Sequence, residues 1–311
     1  RIEASLASPP RLPHSRGFAI FACERLDLFD AVALPQVLRT RLVLDDTPAI
    51  AELVAARDEL DLLLVAVLDR AHLRLFEVTP LAVAELPCLT APSARGGKFH
   101  GARRDAPGWG ERDYHGRIEE ERHRRYALAA SRLEELTRTR PVRGIVLAGP
   151  ADHTAALARF LPGRLPGLLL GSVRLNPTAA SPARVQAAAL AAADAHDREA
   201  LAAELLELEE ALGAGWAVDD SRDVLRALGR GQVRTLFVRE GLTGPGFRCA
   251  ATGRLALARG ECRGEGEPRP VRDVADEAIE EALHQRARVV MVSRQAATDL
   301  VEGLAATLRF R

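Results

Sequence analysis

The sequence predicts an α/β protein of more than one domain. At 311 residues the chain is long for a single hydrophobic core, so two or three domains are expected. Between about residues 60 and 200, short apolar runs alternate with helical patterns, the order expected of a sheet covered by helices. The last part repeats this alternation over about 110 residues, enough for one compact α/β/α sandwich. No fixed-period repeat points to a solenoid.

In chain order, residues 1–15 hold Pro9, Pro10 and Pro13 without periodicity and read as an extended lead-in. Phe18–Cys23 and Leu26–Phe29 form two short strands around a turn at Glu24 and Arg25. A helix over Thr47–Leu60 follows, with Thr47 as cap and Pro48 as first helical residue. Leu62–Leu68 is uniformly apolar and His72–Val78 partly alternates. They are expected to form a hairpin whose first strand is buried on both faces. A third strand lies near Leu81–Leu86. A charged helix spans Arg117–Leu136, Gly144–Gly149 is a buried strand, and a helix opens at Pro150. Leu168–Gly171 is another strand, and Ser181-Pro182 caps an Ala-rich helix. The acidic helix His196–Leu212 reads as a hinge. The last domain then reads helix (Asp220–Leu228), strand (Thr235–Val238), irregular Gly-rich insert (Gly241–Pro270), helix (Val271–Arg286), strand (Val289–Val292), helix (Gln295–Glu302) and strand (Ala305–Phe310). Domains are expected at 1–57, 58–196 and 197–311.

Hydrophobic residues make up 47% and charged residues 28%, an ordinary soluble composition, with 4% aromatics and hence aliphatic cores. The 43 basic and 43 acidic side chains balance, which excludes a uniformly cationic surface but not a local basic patch. No apolar run is long enough to span a membrane, and no signal-peptide pattern is visible. The chain opens on Arg1 and is expected to be a fragment. Four cysteines (Cys23, Cys88, Cys249, Cys262) are too few to staple a chain of this size, so a reducing cytoplasm is expected. A phosphate-binding Gly-x-x-x-x-Gly-Lys-Ser/Thr loop and a Gly-x-Ser-x-Gly elbow are absent. Gly241, Gly244 and Gly246 precede no helix and so make no dinucleotide fingerprint. Asp69 ends a strand and reads as a turn former.

The segment Arg95-Gly96-Gly97-Lys98-Phe99-His100-Gly-Ala-Arg103-Arg104 lies between the third strand and the charged helix. Gly96 and Gly97 permit positive φ and close backbone approach. Arg95, Lys98, Arg103 and Arg104 supply cations for phosphates, and Phe99 and His100 supply rings for stacking on bases. Residues 95–125 hold nine basic and six acidic side chains, a net charge of about +3. The competing reading is a plain surface loop, followed by a solvated helix face with Glu120–Arg124 and Glu121–Arg125 pairs. His100, His115 and His123 do not have the i, i+4 spacing of a helical metal pair.

Val224-Leu-Arg-Ala-Leu-Gly-Arg-Gly-Gln-Val-Arg-Thr-Leu-Phe-Val-Arg-Glu240 resembles the start of the C-terminal domain of archaeal and eukaryotic release factors and Pelota. The ending, Val292–Arg311, is similar to that domain's last helix and edge strand. The centre also matches: a hairpin, a Gly-Gly loop, an Arg/Glu helix with Tyr126, then Gly144–Pro150. Over roughly residues 60–311 the chain is similar to the bacterial branch of the archaeo-eukaryotic release factor and Pelota family. The resemblance implies a ribonuclease-H-like central domain followed by an L7Ae-like C-terminal α/β/α sandwich. It implies a cytoplasmic, ribosome-associated, RNA-binding protein of translation termination, ribosome rescue or quality control. Its implied partners are the ribosome, tRNA or rRNA, and a translational GTPase. No cofactor and no membrane partner are expected.

Active members of that family carry Gly-Gly-Gln in the central loop, which helps water attack the peptidyl-tRNA ester. The matching triplet here is Gly96-Gly97-Lys98. A glutamine amide donates and accepts hydrogen bonds, whereas an ammonium only donates. Three readings therefore stand: a binding module, a peptidyl-tRNA hydrolase using Gly96, Gly97 and Lys98, and a non-catalytic scaffold that engages a protein through the helices of 181–212. The family also includes members with a four-cysteine zinc insert in the C-terminal domain. Here Cys249-Ala-Ala-Thr252-Gly and Cys262-Arg-Gly-Glu265-Gly each keep one thiol of a knuckle. Structural zinc wants four good ligands. The insert is expected to be a degenerate ribbon that folds without metal, its two cysteines unbridged.

Overall fold

The structure, a computed structural model, describes residue 2 and residues 17–34, 37, 40–45, 47–70, 72–87, 109–293 and 299–311. Two units are distinguished: Leu60–His196, and Arg1–Glu59 together with Asp197–Arg311.

The chain begins with a hairpin. Strands β1 (Gly17–Cys23) and β2 (Leu28–Leu34) pair antiparallel from Gly17↔Leu34 to Cys23↔Leu28. Asp27 closes the turn at φ 47°, a left-handed conformation that a short polar side chain tolerates. Helix α1 (Ala51–Leu60) starts later than expected from Thr47 and Pro48. Its cap comes from far along the chain: Asp276 Oδ1 accepts the backbone N–H groups of Ile50 (2.9 Å) and Ala51 (2.8 Å). A helix N-terminus needs such an acceptor for its orphan donors. Local sequence could not reveal one so distant.

The unit Leu60–His196 is built on five strands. Strands β3 (Leu62–Leu68), β4 (Leu73–Val78) and β5 (Val83–Glu85) run antiparallel in succession. Strand β6 (Val142–Ala148) joins the free side of β3 in parallel, and β7 (Leu169–Val173) joins β6 in parallel. The order β5-β4-β3-β6-β7 is the ribonuclease-H-like arrangement. Residues 63–68 are all buried, as strands covered on both faces must be. On one face, Leu64, Ala66, Ile145 and Leu147 pack against α2 (Trp109–Thr139), through Tyr126, Ala129 and Leu133, and against α3 (Ala151–Phe160) through Leu157. On the other, Leu63, Val65, Val67 and Val146 pack against Val185, Ala189 and Ala193 of α4 (Pro182–Gly213). Period-two alternation thus feeds two cores.

Gly149 ends β6 at φ 149°, where an added Cβ would lie 2.0 Å from the Leu68 carbonyl oxygen. Only glycine lets β6 leave the sheet this close to β3. The expected break between an Ala-rich helix and a separate acidic hinge is corrected. Residues 182–213 form one helix, because nothing between His196 and Leu212 terminates it.

In the other unit, β8 (Ala217–Val218) precedes α5 (Ser221–Gly229), whose N-cap Asp220 accepts from the backbone of Arg222 (2.8 Å) and Asp223 (3.3 Å). Gly231, at φ 68°, reverses the chain into β9 (Val233–Arg239). The segment expected to be irregular instead holds a three-stranded antiparallel sheet: β10 (Gly246–Cys249), β11 (Leu255–Ala256) and β12 (Pro268–Val271) in the order β11-β10-β12. Its strands are too short and Gly-rich to show a period. Helix α6 (Val274–His284), β13 (Arg288–Val292) and β14 (Leu304–Leu308) follow. Of the expected helix Gln295–Glu302, the described part forms a 3₁₀ turn over Asp299–Val301, and residues 294–298 lie outside the described residues. The main sheet runs β13-β9-β14-β8. Helices α5 and α6 bury Val224, Leu228, Ala278 and Ile279 on one face. The end of α4 buries Leu205 and Leu208 on the other. This is the L7Ae-like α/β/α sandwich.

Candidate nucleic-acid interface

The expected binding residues Arg95, Gly96, Gly97, Lys98, Phe99, His100, Arg103 and Arg104 lie outside the described residues. The structure describes what anchors them. The chain leaves the sheet after Glu85. The Leu86 N–H donates to the Leu75 carbonyl at 2.8 Å, the last ladder bond before residues 88–108. It returns at Trp109, at the start of α2. A three-residue edge strand and a 31-residue helix therefore hold the two ends.

The departing end is clamped by Arg74. Its guanidinium makes a two-pronged pair with Glu85, Nε to Oε1 and Nη2 to Oε2, both 2.7 Å. Nη1 donates to the carbonyls of Pro177 and Ala180, each at 2.9 Å. The group also lies 4.9 Å from the Phe76 ring centroid. Arginine suits this place because its planar fork serves a carboxylate and two carbonyls at once. The hydrogen bond from Arg74 holds the Glu85 carboxyl below the usual carboxylate range. Residues 74 and 85 are eleven apart and no local period links them, so this clamp was not legible in the sequence.

The returning helix is pinned by Tyr126. It is 1% exposed, and its hydroxyl is hydrogen-bonded to His153 Nδ1 at 2.7 Å. Phe160 meets the Tyr126 ring edge-on at 5.4 Å, and burial pushes the phenol pKa up. His123 meets Phe160 edge-on at 5.0 Å. Glu120 and Arg124 pair at 2.6 Å on the exposed helix face, whereas Arg125 turns to the Arg70 carbonyl and not to Glu121. These described cations serve the helix and the β3–β4 turn. In that turn Asp69 accepts from the His72 backbone at 2.7 Å, the turn-forming role expected of it.

In the C-terminal insert, Cys249 and Cys262 are buried and joined by a disulfide, with Cα atoms 5.2 Å apart. The expectation of two unbridged thiols is corrected. β10 and the 3₁₀ turn Arg259–Cys262 bring them within bonding reach, and burial shields the bond from solvent. The two other knuckle positions are also brought together. Thr252 Oγ1 donates to Glu265 Oε2 at 2.6 Å. Arg254 pairs with the same carboxylate through Nη2 (2.6 Å) and Nε (3.0 Å), and donates to the Glu261 carbonyl at 2.6 Å. The hydrogen bond from Arg254 lowers the Glu265 pKa and raises that of Arg254. A zinc ion does not fit here: both thiols are spent on each other, and a guanidinium holds the carboxylate. Among the described residues no group of three or more His, Cys, Asp or Glu side chains could hold a metal ion.

Residues 48–194 match the family described as bacterial archaeo-eukaryotic release factor family 10. No curated protein matches the chain. Among solved structures, ribosome-bound archaeal Pelota with ABCE1 is similar, with 20% identity over 94% of this chain and 76% of that one and a TM-score of 0.50. Archaeal translation termination factor aRF1 shows 18% identity over 94% and 75%, with a TM-score of 0.31. Saccharomyces cerevisiae Dom34, described as a translation termination-like factor interacting with Hbs1, shows 9% identity over 80% and 63%, with a TM-score of 0.44. The strand order, the sandwich and the Pelota likeness define a chain with the architecture of the archaeo-eukaryotic release factors. Its residues 48–194 match the bacterial branch of that family.

Proposed function

We propose that this chain is a release-factor-like protein that acts at the ribosome, in translation termination or ribosome rescue, by presenting residues 95–104 to tRNA or rRNA. The observation that carries this reading is the family match over residues 48–194, which encloses the whole cationic Gly-Gly segment. The anchoring geometry supports it. Arg74–Glu85 fixes the strand before this segment, and Tyr126–His153 fixes the helix after it. Arg95, Lys98, Arg103 and Arg104 then supply charge for phosphates, and Phe99 and His100 supply rings for bases. The domain division that goes with this reading is 1–57, 58–196 and 197–311. In it α1 packs on the C-terminal sandwich through Ile50, Ala51 and Val54. A cytoplasmic location and a translational GTPase partner belong to the same proposal.

Ribosome sedimentation at low and raised salt tests the proposal. The full chain should travel with ribosomes at low salt and be released as salt rises, because phosphate contacts displace counterions. Substituting both Arg103→Ala and Arg104→Ala should weaken binding and flatten the salt dependence. Wild-type protein left in the supernatant at low salt would exclude the reading.

A further inference from the structure

The disulfide of the C-terminal insert closes a loop that is otherwise lightly held. Cys249 ends β10 and Cys262 ends the 3₁₀ turn Arg259–Cys262, and both are buried. With Ala256 and the partly buried Phe247 they form a small core of their own, apart from the core of the sandwich. Alternation on β11 joins the two: Ala256 packs with the cysteines and Leu255 with the sandwich core. Between the cysteines, β11 pairs with β10 at two positions, Phe247↔Ala256 and Arg248↔Leu255. The further fastenings are the Arg254 pair with Glu265 and a few backbone bonds, among them the Ala251 N–H to the Glu265 carbonyl at 2.8 Å. An element with short strands and a separate small core can open while the rest of its domain stays folded.

Opening the bond cannot leave this small core as it is. Bonded sulfurs sit about 2 Å apart, whereas two separate thiols need roughly 3.5 Å or more. Cys249, Ala256 and Cys262 are all buried, so the added bulk overpacks the cluster and is relieved by backbone movement. That movement has a route into the sandwich. The Arg254 side chain lies on Gly229 at the end of α5, where an added Cβ would come within 2.8 Å of its Cγ. Arg254 also donates to the Glu261 carbonyl at 2.6 Å, and the Glu261 carboxylate pairs with Arg222 of α5 at 3.3 Å. We propose that Cys249–Cys262 is a reversible redox site that sets the rigidity of the insert and of its contact with α5. The reductant is a cellular dithiol. One of its thiolates attacks a sulfur of the bond, forms a mixed disulfide and releases the other cysteine as a thiolate; its second thiol then displaces the first cysteine. Two electrons and two protons pass to the cysteine pair, and the dithiol leaves as a disulfide. The proposal rests on the cytoplasmic location proposed above, because a disulfide in a reducing compartment is usually transient and redox-sensing rather than a permanent staple.

Hydrogen exchange on the purified full chain, without ribosomes, tests this, so its failure and the failure of the ribosomal reading are separate results. Dithiothreitol serves as the dithiol, and alkylation followed by mass spectrometry reads the thiols. In aerobically purified chain, Cys249 and Cys262 should resist alkylation. After dithiothreitol both should be alkylated, while the far-ultraviolet circular dichroism of the chain is kept. Amide exchange should then rise about tenfold or more across residues 250–265, rise less at the end of α5, and stay unchanged in β3. Glutathione disulfide should restore the starting pattern. The double variant Cys249→Ser, Cys262→Ser should show the reduced pattern without dithiothreitol and ignore its addition. A bond that yields to dithiothreitol only when the whole chain unfolds is a permanent staple and would overturn the proposal. So would fully reduced protein with unchanged exchange, or free thiols at both positions before dithiothreitol is added.

Discussion

Asp276 shows how one carboxylate joins distant parts of the chain. It is buried, and burial raises its pKa more than the N–H groups of Ile50 and Ala51 lower it. The native state therefore holds its proton more tightly than the unfolded chain does. The stability linked to that proton is present below the unfolded value and is lost as pH rises through the native one. Asp276→Asn keeps an oxygen acceptor for both N–H groups and removes the charge. Thermal unfolding followed by circular dichroism should find the variant at least as stable as wild type at pH 7, with that advantage shrinking towards pH 4. Asp276→Ala leaves two N–H groups without their acceptor and should cost about 1–3 kcal/mol. Gly149 makes a sharper demand. Gly149→Ala puts a methyl group on the Leu68 carbonyl and should destabilise the protein by about 3 kcal/mol, read as a fall in denaturation midpoint. At Lys98 the chemistry itself is in question. If the hydrolytic reading holds, Lys98→Gln restores a side chain that both donates and accepts. It should then release more peptide from a stalled ribosomal complex than wild type, and Gly97→Ala should release less.

At the scale of elements, legibility followed locality. β3 is a run of apolar residues bounded by Asp61 and Asp69, and α5 is bracketed by Asp220 and Gly231, so both announce themselves. The start of α1 does not, because its cap sits 225 residues further on, and neither does the Arg74–Glu85 clamp. Helix α4 was divided in two by a change from Ala-rich to Glu-rich composition. Helix propensity barely registers that change, since both residues are good helix formers. The insert shows the same limit. Spacing identified Cys249, Thr252, Cys262 and Glu265 as the knuckle positions, but pairing the thiols and recruiting Arg254 needed the fold. The insert should therefore melt at the same temperature with or without a strong chelator. Cys249→Ala should lower that temperature, since opening a buried disulfide removes about 2–4 kcal/mol from the native state's advantage.

Residues 95–104 are proposed from the sequence alone, while the strands and helix that flank them are legible in the sequence and their fastening, by Arg74–Glu85 and Tyr126–His153, is seen in the fold. Uniform cation display is excluded by the balance of 43 basic and 43 acidic side chains, so the proposed RNA binding requires a local patch. The most direct test is the structure of the full chain bound to a ribosome. The account predicts residues 95–104 against tRNA or rRNA, with Arg95, Lys98, Arg103 and Arg104 within hydrogen-bonding reach of phosphates. Finding those residues turned away from RNA and packed on the chain's own surface would contradict it.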